Sequence, residues 1–106
     1  MDQVSFLRDC VITVTSDDYE NFDLIFEQTE RVASARGMSV NEDDVAKALE
    51  VVIADGFVDA YVLSSHGPHS TKVDFTPAQL HDLWYYVTPL GKSRARSIPF
   101  LLGESE

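Results

Sequence analysis

Apolar residues between positions 45 and 53 fall at Val45, Ala48, Leu49, Val52 and Ile53, a spacing that stacks them on one face of a 3.6-residue helix. Ser39 and Glu42 have the S-x-x-E spacing of a capping box and set the predicted start of that helix. Gly56 stands where a left-handed residue after the last turn is expected. Beyond it, Phe57 to Leu63 is rich in aromatic and β-branched residues and predicts a strand. The stretch from Met38 to Tyr61 therefore reads as one capped helix running into one strand.

The flanking segments extend the pattern. Val4, Leu7, Val11 and Val14 recur at helical spacing across Val4 to Thr15, although the β-branched run Val11 to Thr15 would also suit a strand. Helix is favoured because the apolar spacing spans the whole segment; strand remains the alternative for its end. Ser16, Asp17 and Asp18 supply N-caps for a second helix with one face made of Phe22, Ile25, Phe26, Thr29, Val32 and Ala33. Gly37 closes it, after Arg31 and Arg36, whose charges suit a helix C-terminus. Later, Leu83 to Thr88 predicts a second strand, separated from the first by a polar loop, Ser64 to Phe75, and a short helix from Pro77 to about Leu83. Thr88-Pro89 repeats the signal of a Thr cap followed by Pro, so a final short helix should run through Lys92 and Arg94 before Pro99 interrupts it.

Composition and charge narrow the picture. A chain of 106 residues suits a single domain, with 98–106 as an apolar and acidic tail, and its 44% hydrophobic and 25% charged residues fall in the globular range. Cys10 is the single cysteine, so no intrachain disulfide can form, and no apolar run is long enough for a signal-peptide core or a membrane span. A reduced, cytoplasmic setting is the expected one. The net charge of −10 is unevenly placed: residues 1–59 hold 14 acids and 4 bases, and residues 60–106 hold 4 of each. That field disfavours nucleic acid and anionic lipid at long range and suits a basic partner or simple solubility.

Two stretches resemble a known family. The run Val45-Ala46-Lys47-Ala48-Leu49-Glu50-Val51-Val52-Ile53-Ala54-Asp55-Gly56-Phe57-Val58 resembles the recognition helix and first wing strand of winged-helix regulators such as the PadR and MarR families. Trp84-Tyr85-Tyr86-Val87-Thr88-Pro89-Leu90-Gly91-Lys92 resembles their second wing strand, and together the two cover about a quarter of the chain. The resemblance implies an α+β, mostly α, winged helix-turn-helix: three N-terminal helices, a two-stranded wing hairpin holding a long loop and a short helix, and a short C-terminal helix.

The resemblance also implies that the third helix enters a DNA groove, which would put Asn41, Glu42, Asp43, Lys47 and Glu50 on the reading face. The charged members of that face sum to −2, whereas phosphate contacts from Lys and Arg supply essentially all non-specific affinity for DNA. The expected function is accordingly protein contact or regulation without catalysis. The alternative is a DNA-binding regulator working through Lys72, Lys92, Arg94 and Arg96.

Other chemistry is weakly signalled. His66 and His69, with His81 and Asp74, match no zinc spacing; Gly91-Lys92-Ser93 lacks the earlier glycine of a phosphate loop; and adjacent Ser64, Ser65 and His66 define no triad. No metal, cofactor or enzymatic activity is expected. Trp84, Tyr85 and Tyr86 alternate on a strand, so at most two can share a face as a stacking platform. Ile98, Phe100, Leu101 and Leu102 must either dock on their own domain or cover a second subunit.

Overall fold

The computed structural model describes residues 3–63 and 70–98. Its elements are α1 (Gln3–Val14), β1 (Glu20–Asn21), α2 (Phe22–Ala35), α3 (Glu42–Ala54), β2 (Val58–Leu63), β3 (Ser70–Val73), a 3-10 turn (Pro77–Gln79), β4 (Trp84–Val87) and α4 (Pro89–Arg96). The chain is α+β and mostly helical, with a four-stranded antiparallel sheet in the order β1-β4-β2-β3.

Helix α1 is the hub. Phe6, Leu7, Cys10, Val11 and Ile12 are all buried, and the helix packs against α2, α3 and α4. Burial on several sides outweighs the small helix penalty of its β-branched end. The hydroxyls there find partners within the helix: Thr13 donates to the Asp9 carbonyl at 2.8 Å and Thr15 to that of Val11 at 2.9 Å. In α2, Phe22, Ile25, Thr29 and Ala33 are buried, with Phe26 and Val32 packed beside them. In α3 the buried residues are Val45, Ala48, Leu49 and Val52.

Both long helices stop in the same way. At the end of α2 the Met38 N–H donates to Ala33 and the Gly37 N–H to Ser34; at the end of α3 the Phe57 N–H donates to Val52 and the Gly56 N–H to Ile53. This paired arrangement needs a left-handed residue, and Gly37 (φ 77°) and Gly56 (φ 85°) provide it.

Helix starts differ from the sequence expectation. Helix α3 is capped by Asn41, whose Oδ1 accepts the Asp44 N–H at 2.9 Å, while the Asp44 carboxylate accepts the Asn41 N–H at 3.1 Å. The capping box is therefore Asn41/Asp44 and not Ser39/Glu42: two overlapping caps compete, and the pair nearer the apolar stripe wins. Likewise α2 does not begin at Ser16-Asp17-Asp18. The Thr15 carbonyl accepts the Val87 N–H, which draws the chain to the sheet as β1, and Asn21 caps α2 through the Leu24 N–H at 2.9 Å.

The sheet is also larger than a two-stranded wing hairpin. Strands β2 and β4 do pair, with Ala60 opposite Tyr85 and Tyr61 opposite Trp84. Strand β3 adds Ser70–Val73 to the free side of β2, and β1 adds two residues to β4. Strand β3 shows no apolar alternation because it is an exposed edge, where Lys72 and Thr71 face solvent. The helix expected from Pro77 to Leu83 is a single 3-10 turn, in which the Thr76 hydroxyl bonds the Gln79 side chain and leaves the backbone uncapped.

Thr88 and Gly91 join the start of β2 to the end of β4. The Thr88 Oγ1 accepts the Gly91 N–H at 3.1 Å and donates to the Gly56 carbonyl at 2.6 Å, and the Thr88 N–H donates to Phe57 at 2.9 Å. A Cβ at position 91 would collide with the Phe57 carbonyl oxygen and lie 2.9 Å from the Val87 Cβ.

Two measurements check this account. Urea unfolding of Asn41→Ala should show a loss of about 1 kcal/mol, with Ser39→Ala within a few tenths of wild type, since Asn41 holds the cap. Gly91→Ala should lose about 2 kcal/mol or more, because the added methyl strikes backbone and not a yielding side chain; an unchanged midpoint would show that the close contact is not maintained.

Candidate functional site

Helix α3 presents Glu42, Asp43, Lys47 and Glu50 to solvent. Asn41 stands apart from them, since its side-chain oxygen is committed to the cap. Beside this face lies a groove of about 140 Å³ between α1 and α3, lined by Val4, Leu7, Ala48 and Val51 and edged by Gln3, Asp44 and Lys47. Val4 is 61% and Val51 38% exposed, the two large apolar residues of α1 and α3 left to solvent.

The bases lie elsewhere and are not equivalent. Lys72 is 3.6 Å from Asp59. Arg94 binds Asp9 through its Nη2 at 2.8 Å and Nε at 3.3 Å, and the Asp9 side chain is only 9% exposed, so this guanidinium ties α4 to α1. Lys92 sits over the Tyr86 ring at 5.2 Å. Lys92 and Arg96, four residues apart on α4, have no carboxylate within ion-pair distance among the described residues. They line one cavity of about 390 Å³ with Thr13, Ser16, Asp17, Ala95 and Ile98, and another of about 330 Å³ with Tyr86, Val87 and Pro89.

These sites sit at opposite ends of α1. The groove beside α3 touches Gln3, Val4 and Leu7, and the cavity of Lys92 and Arg96 touches Thr13. From Val4 to Thr13 is about 13 Å along a helix. The four bases are thus not gathered beside α3: one holds the fold, one is paired across the sheet, and two share a separate cavity.

The aromatic strand also divides. Tyr85 is buried and donates to the Leu80 carbonyl at 2.9 Å, and its hydroxyl pKa is pushed upward by burial and then by Asp82. Trp84 and Tyr86 face outward, but Tyr19 lies across that face, 5.0 Å from Tyr86 and edge-on to Tyr61 at 5.1 Å, with its hydroxyl 2.9 Å from that of Ser70. The rings pack on one another, which leaves less platform than the sequence offered.

Other candidates resolve simply. Burial pushes the Cys10 thiol up to about 12, with Arg36 opposing and Asp9 adding, so it stays protonated and inert at neutral pH. Ile98 is 3% exposed and docks in its own core, which removes it from the expected subunit contact; Phe100, Leu101 and Leu102 lie outside the described residues, as do Ser64, Ser65, His66 and His69. His81 pairs with Asp23 at 3.0 Å, edge-on to Phe22. Among the described residues no three His, Cys, Asp or Glu side chains could hold a metal ion together, and no helix is long and apolar enough to cross a membrane.

Sequence reasoning missed Asp9 and Asp17. A lone acid inside the apolar stripe of α1 was the available signal for Asp9, since a buried carboxylate demands a partner. Compared with protein families, with curated proteins and with solved structures, the chain matches none.

Arg94→Ala should lower stability by about 2 kcal/mol in urea unfolding, less than the about 3–5 kcal/mol of a fully buried pair because the guanidinium is 46% exposed. Arg96→Ala should leave the midpoint within about 0.5 kcal/mol of wild type. Equal losses would contradict the division of roles.

Proposed function

We infer that this chain is a non-enzymatic winged-helix domain whose acidic third helix serves protein contact and not DNA reading. Three N-terminal helices followed by the paired strands β2 and β4 support the winged-helix part, as do the Gly56 stop and the Thr88-Pro89 start at the two motif ends. The observation that carries the functional part is the groove at Val4, Leu7, Ala48 and Val51, edged by Asp44 and Lys47, on the helix that also presents Glu42, Asp43 and Glu50 to solvent. Exposed apolar residues flanked by acids suit an amphipathic segment with apolar anchors and basic flanks. A duplex meets the opposite: α3 carries three acids in its first turn against the single base Lys47, and Lys92 and Arg96 are at the far end of α1.

Fluorescence anisotropy with random duplex DNA at about 50 mM salt should show no saturable binding. A helical peptide of alternating leucine and lysine faces should bind and shift the amides of Val4 and Val51, and its glutamate counterpart should not. Duplex binding that weakens steeply with salt, and is lost in Lys92→Glu and Arg96→Glu, would instead establish the DNA-binding regulator.

A further inference from the structure

The cavity between the end of α1 and the outer side of α4 has two chemically opposite walls. On the α1 side the Thr13 hydroxyl donates to the Asp9 carbonyl at 2.8 Å and the Ser16 hydroxyl to the Thr13 carbonyl at 2.7 Å. With their hydrogens committed to backbone, both oxygens offer lone pairs to whatever enters. The Asp17 carboxylate beside them is a third acceptor, and the structure gives it no ion pair among the described residues. On the α4 side stand Lys92 and Arg96, which can only donate.

Two like charges four residues apart weaken a helix slightly, and here neither has an ion pair among the described residues. Their placement over a cavity gives the repulsion a use. A lone anion would meet the donors but also Asp17; a lone cation would meet Asp17 but also Lys92 and Arg96. A molecule carrying both charges meets each wall with the matching one. Ala95 and Ile98 complete this cavity with apolar surface, and Val87 and Pro89 do so in the neighbouring space that Lys92 and Arg96 also line. A volume of about 390 Å³ is within the usual range for a small-molecule site.

We propose that this cavity binds a small zwitterionic amino acid with an apolar body, its carboxylate held by Lys92 and Arg96 and its ammonium group by Asp17 with the Ser16 and Thr13 oxygens. Guanidinium–carboxylate and carboxylate–ammonium hydrogen bonds at the two ends are both charge-assisted, so each end adds to affinity and neither suffices. The site is independent of whatever α3 contacts.

The test is an NMR titration of the full chain, at constant ionic strength, with L-leucine and L-phenylalanine, then with 4-methylpentanoate, which lacks the amine, and 3-methylbutylamine, which lacks the carboxylate. At least one amino acid should give saturable shifts at the amides of Asp17, Lys92 and Arg96, and both truncated compounds should bind about tenfold more weakly or worse. Arg96→Gln should lose about tenfold for the amino acid, and Asp17→Asn should reduce it to the level of 4-methylpentanoate. These are exposed positions, and the comparison of ligands on the wild-type chain stands without the variants. No saturable shift from either amino acid up to about 50 mM would overturn the proposal. So would 4-methylpentanoate binding as well as L-leucine, since that outcome describes an anion site only.

Discussion

The Thr88 hydroxyl accepts the Gly91 N–H in the first turn of α4 and gives its own proton to the carbonyl of Gly56, so one oxygen both starts a helix and fastens it to the end of another. The geometry of the sheet side follows from that arrangement. Gly56 must be left-handed to end α3 and turn its carbonyl toward Thr88, and Gly91 must lack a side chain for α4 to approach Phe57. Strands β2 and β4 are then held in register by their own ladder and, at one end, by the junction where β2 begins and β4 finishes. Arg94 and Asp9 carry the constraint inward, since α4 reaches the hub helix through their ion pair.

The same acids stabilise α3 and set its surface potential. Glu42, Asp43 and Asp44 sit at the positive end of α3, where the helix dipole and the capping box favour them. The stabilisation they give α3 is obtained by making its N-terminus repel phosphate. At residues 17–20 the acids crowd one another: burial, then Asp18 and Asp17, raises the Glu20 pKa above its ordinary value. A chain of this charge nevertheless gathers Lys92 and Arg96 on one cavity, and neither has an ion pair among the described residues.

The sequence was readable where one periodicity dominated. Val45 to Ile53 and Phe22 to Ala33 are apolar stripes with a glycine stop, and they form helices with the buried residues that the spacing implies. Helix α1 was decided by burial, which overrode the β preference of Val11 to Thr15. Starts were less legible because Asp, Asn and Ser are interchangeable as caps: Asn41 prevailed over Ser39, and Asn21 over Ser16-Asp17-Asp18, for tertiary reasons that no local pattern encodes. Strand β3 is polar on an exposed edge and β1 is two residues long, so neither carries a signal. Of the candidate site, the acidity of α3 was plain from composition. The separation of Arg94 from Lys92 and Arg96 was not, because a helix of eight residues turns neighbouring bases to different sides and only packing shows which side meets Asp9.

The borders of the sheet limit how this molecule can associate. One edge strand, β1, offers two residues before the chain departs into α2, and the other, β3, carries Lys72 and polar neighbours. Short or charged edges are poor templates for a further strand. Extension of the sheet by another chain, whether as ordered recruitment or as fibre growth, is thus discouraged at both described borders. The helical surface has no such backbone template, and its contacts with anything outside would form side chain by side chain, under the field of its acids.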